Sequence, residues 1–365
     1  MTLVDETCEC VPNSHSSDDG EFCECDSLYH WNEELFQCVL DTTNSQFTWT
    51  LDTFGVYSTI LRDVEIVDEN NIWVVGAIRM QEPDSNGELT IREKYNAAHW
   101  DGSEWQIVKI LGGNSEVSTF LFFSETDIWV SMGSFPVHWN GFDWTLFHLQ
   151  NMGLDAHIIN SSWGLSPTNI YFAGNEGCIV HYDGTSFTKI GSGTDINLNS
   201  VSGTPDGEYV FVSGSNQYTN SIIFQIHNSE VEILYEGVDE WSLPAGTPRS
   251  IYVKGDTVYF ASGEGIWKYN FTDKSGARIS EAGTYESILP HGIFVQTSND
   301  IFMMGARSEF VHFNGVRWSS DFSVWGQFGY SGVGSYGMDV VGNQVIIVGY
   351  AESANRGLIA RGRRN

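Results

Sequence analysis

The chain has 365 residues, with 47 Asp and Glu against 17 Lys and Arg, a formal net charge of −30 that excludes nucleic acid as a partner. Hydrophobic residues make up 41%, aromatic residues 14% and charged residues only 18%, so the chain can bury a sizeable core and is not a disordered tail. No apolar run reaches the roughly 18 residues of a spanning helix, and the start MTLVDETCEC has neither the basic nor the apolar part of an export signal, so none is expected within this chain.

Residues 1–45 read as a separate Cys-rich module. Cys8-x-Cys10, Cys23-x-Cys25 and Cys38 place five of the six cysteines in the first 38 residues, within a polar segment that has too few aliphatics to hold a core without cross-links. That pattern is a disulfide framework, and it implies an oxidising compartment. A zinc site would want C-x2-C spacing and a His pair, and neither is present. The C-x-C pairs followed by a closing Cys resemble the C-terminal hooks of EGF-like repeats. Pairing Cys10 with Cys23 and Cys25 with Cys38 leaves Cys8 over. Its partner is then Cys178, which would staple the module to the main domain; the alternative is a buried free Cys178.

Residues 46–365 repeat themselves. The runs NNIWVVG, TDIWVSMG, TNIYFAG, GEYVFVSG, DTVYFASG, NDIFMMG and NQVIIVG end at Gly76, Gly133, Gly174, Gly214, Gly263, Gly305 and Gly349. In four units a second run follows, AAHWDGSEWQIVKI, PVHWNGFDWTLFHL, IVHYDGTSFTKI and FVHFNGVRWSS, in which D-G or N-G predicts a two-residue hairpin turn. An inner strand such as DVEIVD, the strand ending in Gly, the His-aromatic strand and the one after the turn make four antiparallel strands per unit, which is one propeller blade. Seven glycines give seven blades. The last unit lacks an outer strand and FTWTLDT at Phe47–Thr53 supplies it, so the fold class is all-β, a seven-bladed β-propeller closed by its N-terminal strand. Alternation sends Ile72 and Val74 to one neighbouring blade and Trp73 and Val75 to the other. Trp100, Trp105, Trp139, Trp144 and Trp318 sit at equivalent places beside the turns and are expected to pack there.

The D-I-W-x-V-G … H-[WY]-[DN]-G-x-x-W pattern resembles secreted or surface-anchored seven-bladed propeller proteins of bacteria, including ones of lipoprotein type, and more loosely the sialidase and photosystem assembly-factor propellers. The resemblance implies fold and compartment and no particular chemistry. The sialidase box S-x-D-x-G-x-x-W is absent.

Four histidines, His99, His138, His181 and His312, tempt a metal reading, but equivalent positions in different blades cannot converge, so they are expected to be structural residues hydrogen-bonded between blades. The channel mouth does converge. The starts of the inner strands bring Arg62, Asp63, Ser118, Ser161, Ser162, Ser200, Arg249, Ser250, His291 and Tyr336 to that rim. Arg62, Asp63, Ser162, Ser200, Arg249, His291 and Tyr336 are the candidate ligand set, in which Arg62, Arg249 and His291 receive an anionic group such as a sugar or peptide carboxylate. In the competing reading Arg62 pairs with Asp63 or another local carboxylate and fills the channel. The excursion Ala77–Lys94 is the longest inside the ring and reads as a hairpin projecting from the top face. Asp68-Glu69-Asn70-Asn71 is at most a weak Ca2+ site, and no cofactor motif of the Walker, dinucleotide, G-x-S-x-G or H-E-x-x-H kind occurs.

The function expected is that of an extracellular or cell-surface, non-catalytic interaction or structural protein, its top face presented to a surface protein or glycan and its module acting as spacer or clamp within an assembly. The alternative is a carbohydrate-binding or glycan-cleaving propeller, for which Trp163, Trp241 and Trp325 would line a groove and Asp63 with Tyr336 would supply the chemistry.

Overall fold

The computed structural model describes residues 2–4, 7–16, 23–26, 29–32, 37–40, 42–112, 116–216, 220–237, 248–262, 265–281, 290–305, 309–321 and 323–365. Gly263 and Trp241 lie outside them.

Residues 60–364, with Phe47–Phe54, form seven four-stranded antiparallel sheets. Blade 1 comprises Ile60–Asp68, Asn71–Pro83, Leu89–Trp100 and Trp105–Val108. The inner strands of blades 2 to 7 are Thr119–Ser124, Ile159–Ser166, Leu198–Gly203, Ser250–Lys254, Pro290–Thr297 and Val333–Val341. Each inner strand touches the next and the seventh touches the first, so the ring is closed. Blade 7 takes its outer strand from the other end of the chain: Phe47–Phe54 pairs with Arg356–Arg364 in register, Phe54 opposite Gly357 through Phe47 opposite Arg364.

Each blade junction among the described residues holds its own apolar cluster. Period-2 alternation explains why. Ile72 and Val74 enter the cluster shared with blade 7, while Trp73 and Val75 enter the one shared with blade 2. The repeat glycine has a steric cause: a Cβ on Gly76 would collide with the carbonyl oxygen of Ile60, and one on Gly349 with that of Gly334. The aromatics beside the turns pack as expected, Trp100 on Trp105 at 5.6 Å and Trp139 on Trp144 at 5.3 Å.

The D-G and N-G turns differ from expectation. Trp100 pairs with Trp105 and Trp139 with Trp144, so the loops hold four residues, and only the glycine takes a positive φ, 93° at Gly102 and 92° at Gly141. The side chain at the first loop position makes this loop. Asp101 Oδ1 accepts the N–H groups of Ser103 and Glu104, each at 2.9 Å, in an Asx turn, while Asp101 N–H donates to the Glu104 carbonyl at 3.2 Å.

Toward the N-terminus three two-stranded hairpins, Thr2–Val4 with Thr7–Glu9, Ser14–Ser16 with Cys23–Cys25, and Tyr29–Asn32 with Gln37–Leu40, accompany the disulfides Cys10–Cys23 and Cys25–Cys38. The staple from Cys8 to Cys178 is not made. Cys178 is a free thiol, 1% exposed, packed in the cluster between blades 2 and 3, and burial pushes its pKa up. The side chain of Cys8 is outside the described residues.

Candidate functional site at the channel mouth

The inner strands wall a central cavity of about 320 Å³, and beside it, over blades 2 and 3, lies a groove of about 660 Å³ that shares Arg62, Ser118, Asn160 and Tyr336 with it. Four of the predicted rim residues meet here. The Arg62 guanidinium lies 4.6 Å over the Tyr336 ring, and its Nε is bonded to Glu116, the local carboxylate that the competing reading asks for. Arg249 Nη1 stands 3.4 Å from His291 Nε2, while His291 Nδ1 lies 3.0 Å from the carbonyl of Ser335. A carbonyl can only accept, so Nδ1 carries the proton and Nε2 accepts from Arg249. Burial, joined by the nearby Arg249 and Arg62 charges, holds the imidazole below its ordinary pKa, so it is neutral at pH 7.

The other predicted residues line the channel but are largely occupied with holding blades together. Asp63 Oδ2 accepts Phe120 N–H of blade 2 at 2.9 Å, and Ser200 Oγ accepts Ile251 N–H of blade 5 at 3.1 Å. The same device recurs: Ser161 accepts from Val201, Ser250 from Ile293, and Asp339 from Ile66. A short polar side chain on one inner strand thus satisfies a main-chain N–H of the next that has no strand partner. Ser162 lines the channel.

Sequence reasoning missed Glu116 and the carboxylates behind Asp63. Glu65 and Asp339 line the same cavity. Burial pushes Asp63 up to about 7, against its main-chain hydrogen bonds and with the Asp339 charge adding, and pushes Asp339 up to about 6. Glu65 is raised by burial and then by Asp339 and Asp63, and Tyr252 is pushed up to about 12 by burial and these carboxylates. The i, i+2 spacing of Asp63 and Glu65 on an inner strand was the available signal.

The four histidines each sit in a separate blade. Each bonds through Nε2 to Asn71, Asp127, Asn169 or Asp300 on the neighbouring strand of its own blade, not between blades, and stacks on the aromatic beside it. The proposed groove tryptophans do not line one: Trp325 is 1% exposed in the cluster of blades 6 and 7, and half-buried Trp163 packs on the cluster of blades 3 and 4. Excursion Ala77–Lys94 is a hairpin that continues the second and third strands of blade 1.

At the other end of blade 6 the linker is locked in. Asp300 Oδ1 accepts from Thr43 Oγ1 at 3.0 Å and from Arg364 Nη2 and His312 Nε2 at 2.6 Å each, and Ser45 Oγ lies 2.9 Å from His312 Nδ1. His291 and Thr297 are opposite ends of one strand, roughly 20 Å apart at the usual rise. The chain therefore enters the ring at the end away from the mouth.

No family model matches this sequence, and no curated protein matches it. Solved structures do. The chain is similar to "YCF48 bound to D1 peptide", with a TM-score of 0.62 and 13% identity over 89% of this chain and 100% of that one. YCF48 from Cyanidioschyzon merolae gives a TM-score of 0.59 at 13% identity, covering 86% and 98%. The WD40 propeller domain of Doa1 gives 0.61 at 12% identity, covering 88% and 98%. At these identities the similarity shows the seven-bladed propeller fold.

Proposed function

We propose that this chain is an extracellular, non-catalytic interaction protein whose channel mouth receives an anionic group, a carboxylate of a peptide or of a surface glycan. One observation carries the reading: Arg62, Arg249, His291 and Tyr336, contributed by blades 1, 5, 6 and 7 from sequence positions far apart, meet at one end of the channel beside an open groove. Among the described residues Arg62 commits only its Nε to Glu116, so its remaining donors serve a ligand. The two disulfides fit a non-reducing compartment, and no helix among the described residues is long and apolar enough to cross a membrane. The linker leaves from the far end, which suits a module that acts as spacer while the mouth faces outward.

A solved propeller with a bound peptide supports a peptide as one class of ligand. The glycan-cleaving alternative has less support. Asp63 and Asp339 each give one oxygen to their own strand and the other to the next blade, so neither presents a carboxylate to a substrate.

Calorimetry decides it. Galacturonic acid, sialic acid and a short acidic peptide are titrated into wild type and Arg249→Ala. Heat with wild type that weakens by about tenfold or more in the variant supports the site. No heat from either protein with any of the three removes it.

A further inference from the structure

The hairpin of blade 1 points to a second docking site, separate from the mouth. The inner strand Ile60–Asp68 pairs with its neighbour only as far as Ala77, and the outer strand Trp105–Val108 with its own only as far as Ala97. Beyond these the second and third strands run on alone as a two-stranded ribbon, from Ile78 opposite Tyr95 to Pro83 opposite Leu89. The Asp84 N–H to Glu88 carbonyl bond at 2.8 Å closes its turn, and Tyr95 Oη donates to Glu82 at 2.7 Å.

Its two edges are treated differently. Segment 56–59 covers the inner one: Val56 N–H donates to the Arg79 carbonyl at 2.8 Å, Arg79 N–H donates to Thr59 Oγ1 at 2.9 Å, and Pro83 has no N–H. The outer edge, Leu89 to Tyr95, has no neighbouring strand among the described residues. On it Leu89 is 65% exposed and Ile91 45%, two positions apart and therefore on one face.

The phase of the ladder tells which main-chain groups face outward. Arg79 spends its N–H and C=O away from the partner strand, so its pair with Glu93 is one that turns outward, and in an antiparallel ladder the pairs alternate. Gln81 with Ile91 and Pro83 with Leu89 follow in the same phase, and the Asp84 to Glu88 bond agrees with it. The N–H and C=O groups of Leu89, Ile91 and Glu93 thus point off the open edge.

We propose that this edge takes up an extended strand of a partner protein, apolar at alternate positions and bearing carboxylates between them. Main-chain pairing supplies the affinity, and Leu89 and Ile91 select the apolar positions. The segment from Leu89 to Tyr95 holds Arg92 and Lys94 against Glu93, locally positive in a chain of net charge −30, which favours a carboxylate-bearing strand. A second copy suits the edge less: two such charged bodies repel, and so short an edge falls far below the roughly 1,600 Å² of a standard interface.

The test selects displayed random peptides of about twelve residues on the full chain and compares variants. Ile91→Pro removes an outward N–H without breaking a bond inside the ribbon; Leu89→Pro does the same at the next outward position, in case the first variant fails to fold. Selected peptides alternate apolar and acidic residues, lose about tenfold or more affinity with either proline and keep it with Arg249→Ala, and they slow hydrogen exchange at the Ile91 and Glu93 amides. The proposal is overturned if no peptide is enriched, if binding survives both prolines in folded protein, if it falls with Arg249→Ala, or if those amides exchange unchanged. Wild-type dimers that the prolines dissolve would assign the edge to a second copy instead. The Arg249→Ala arm keeps this outcome apart from that of the mouth.

Discussion

Blade 6 carries a histidine at each end, and the two differ in what surrounds them. His312 is 1% exposed and bonded to Asp300, whose carboxylate also gathers Thr43 and Arg364, while Ser45 takes its second nitrogen. His291 faces Arg249 and Tyr336 across an open cavity. A buried ring enclosed by the chain's own partners has nothing left to offer a ligand. His291 also has both nitrogens engaged, Nδ1–H on the Ser335 carbonyl and Nε2 on Arg249, but it holds that cation beside an open cavity, and the cation is what a ligand meets. The contrast separates residues that hold the molecule together from those that could recognise something, although in sequence both are a His next to an apolar run.

Breaking the closed end should have the largest effect. Asp300→Ala leaves the buried Arg364 and His312 facing each other without a carboxylate, and is expected to cost about 3–5 kcal/mol in urea unfolding. A loss below about 1 kcal/mol would mean that the cluster is not structural. Next comes the channel between the two ends. Asp63, Asp339 and Glu65 have raised folded pKa values, so over the window from about 4 to 7 the folded state binds more protons than the unfolded one, and stability falls as pH rises through it. The melting temperature should therefore rise by several degrees between pH 8 and pH 5.5, and Glu65→Gln should flatten the rise. An unchanged slope in that variant would mean that Glu65 does not take part. Ser45→Ala removes one hydrogen bond to His312 and is expected to cost about 1 kcal/mol. His291→Gln should be smallest, within about 0.5 kcal/mol in stability but measurable in the heat of ligand binding. A larger loss of stability than Ser45→Ala would reverse the comparison.

Most of the architecture was legible because the repeats are steric in origin. Gly76, Gly174, Gly214 and Gly349 recur where a Cβ would strike the main chain at the start of the inner strand, whereas Gly133 has open space there and a φ of 62°, and FTWTLDT could be matched to blade 7 because that unit visibly lacked a strand. The mouth was legible only in part. Strand position brings Arg62, Arg249, His291 and Tyr336 together, but whether a rim side chain is already spent depends on neighbours across a blade junction. Asp63 and Ser200 looked available in sequence and are engaged by main-chain N–H groups of the next blade, which no local pattern announces. Glu116 escaped notice because it comes from a loop. The four-residue turns were misjudged because an Asx bond from Asp101 does what two positive φ values would otherwise do.

The pairing of Phe47–Phe54 with Arg356–Arg364 bears on how the chain is made. A strand that leaves the ribosome early must wait for a partner about 300 residues later, which at about 5–20 residues per second is a delay of roughly 15–60 s. Through that interval blade 7 is absent, and both ends of the growing ring are open to misassembly. The exposed positions Thr48 and Thr50 of the waiting strand keep one of its faces polar. A ribosome that stops before blade 7 begins at Val333 would release a chain with six blades built and no way to shut.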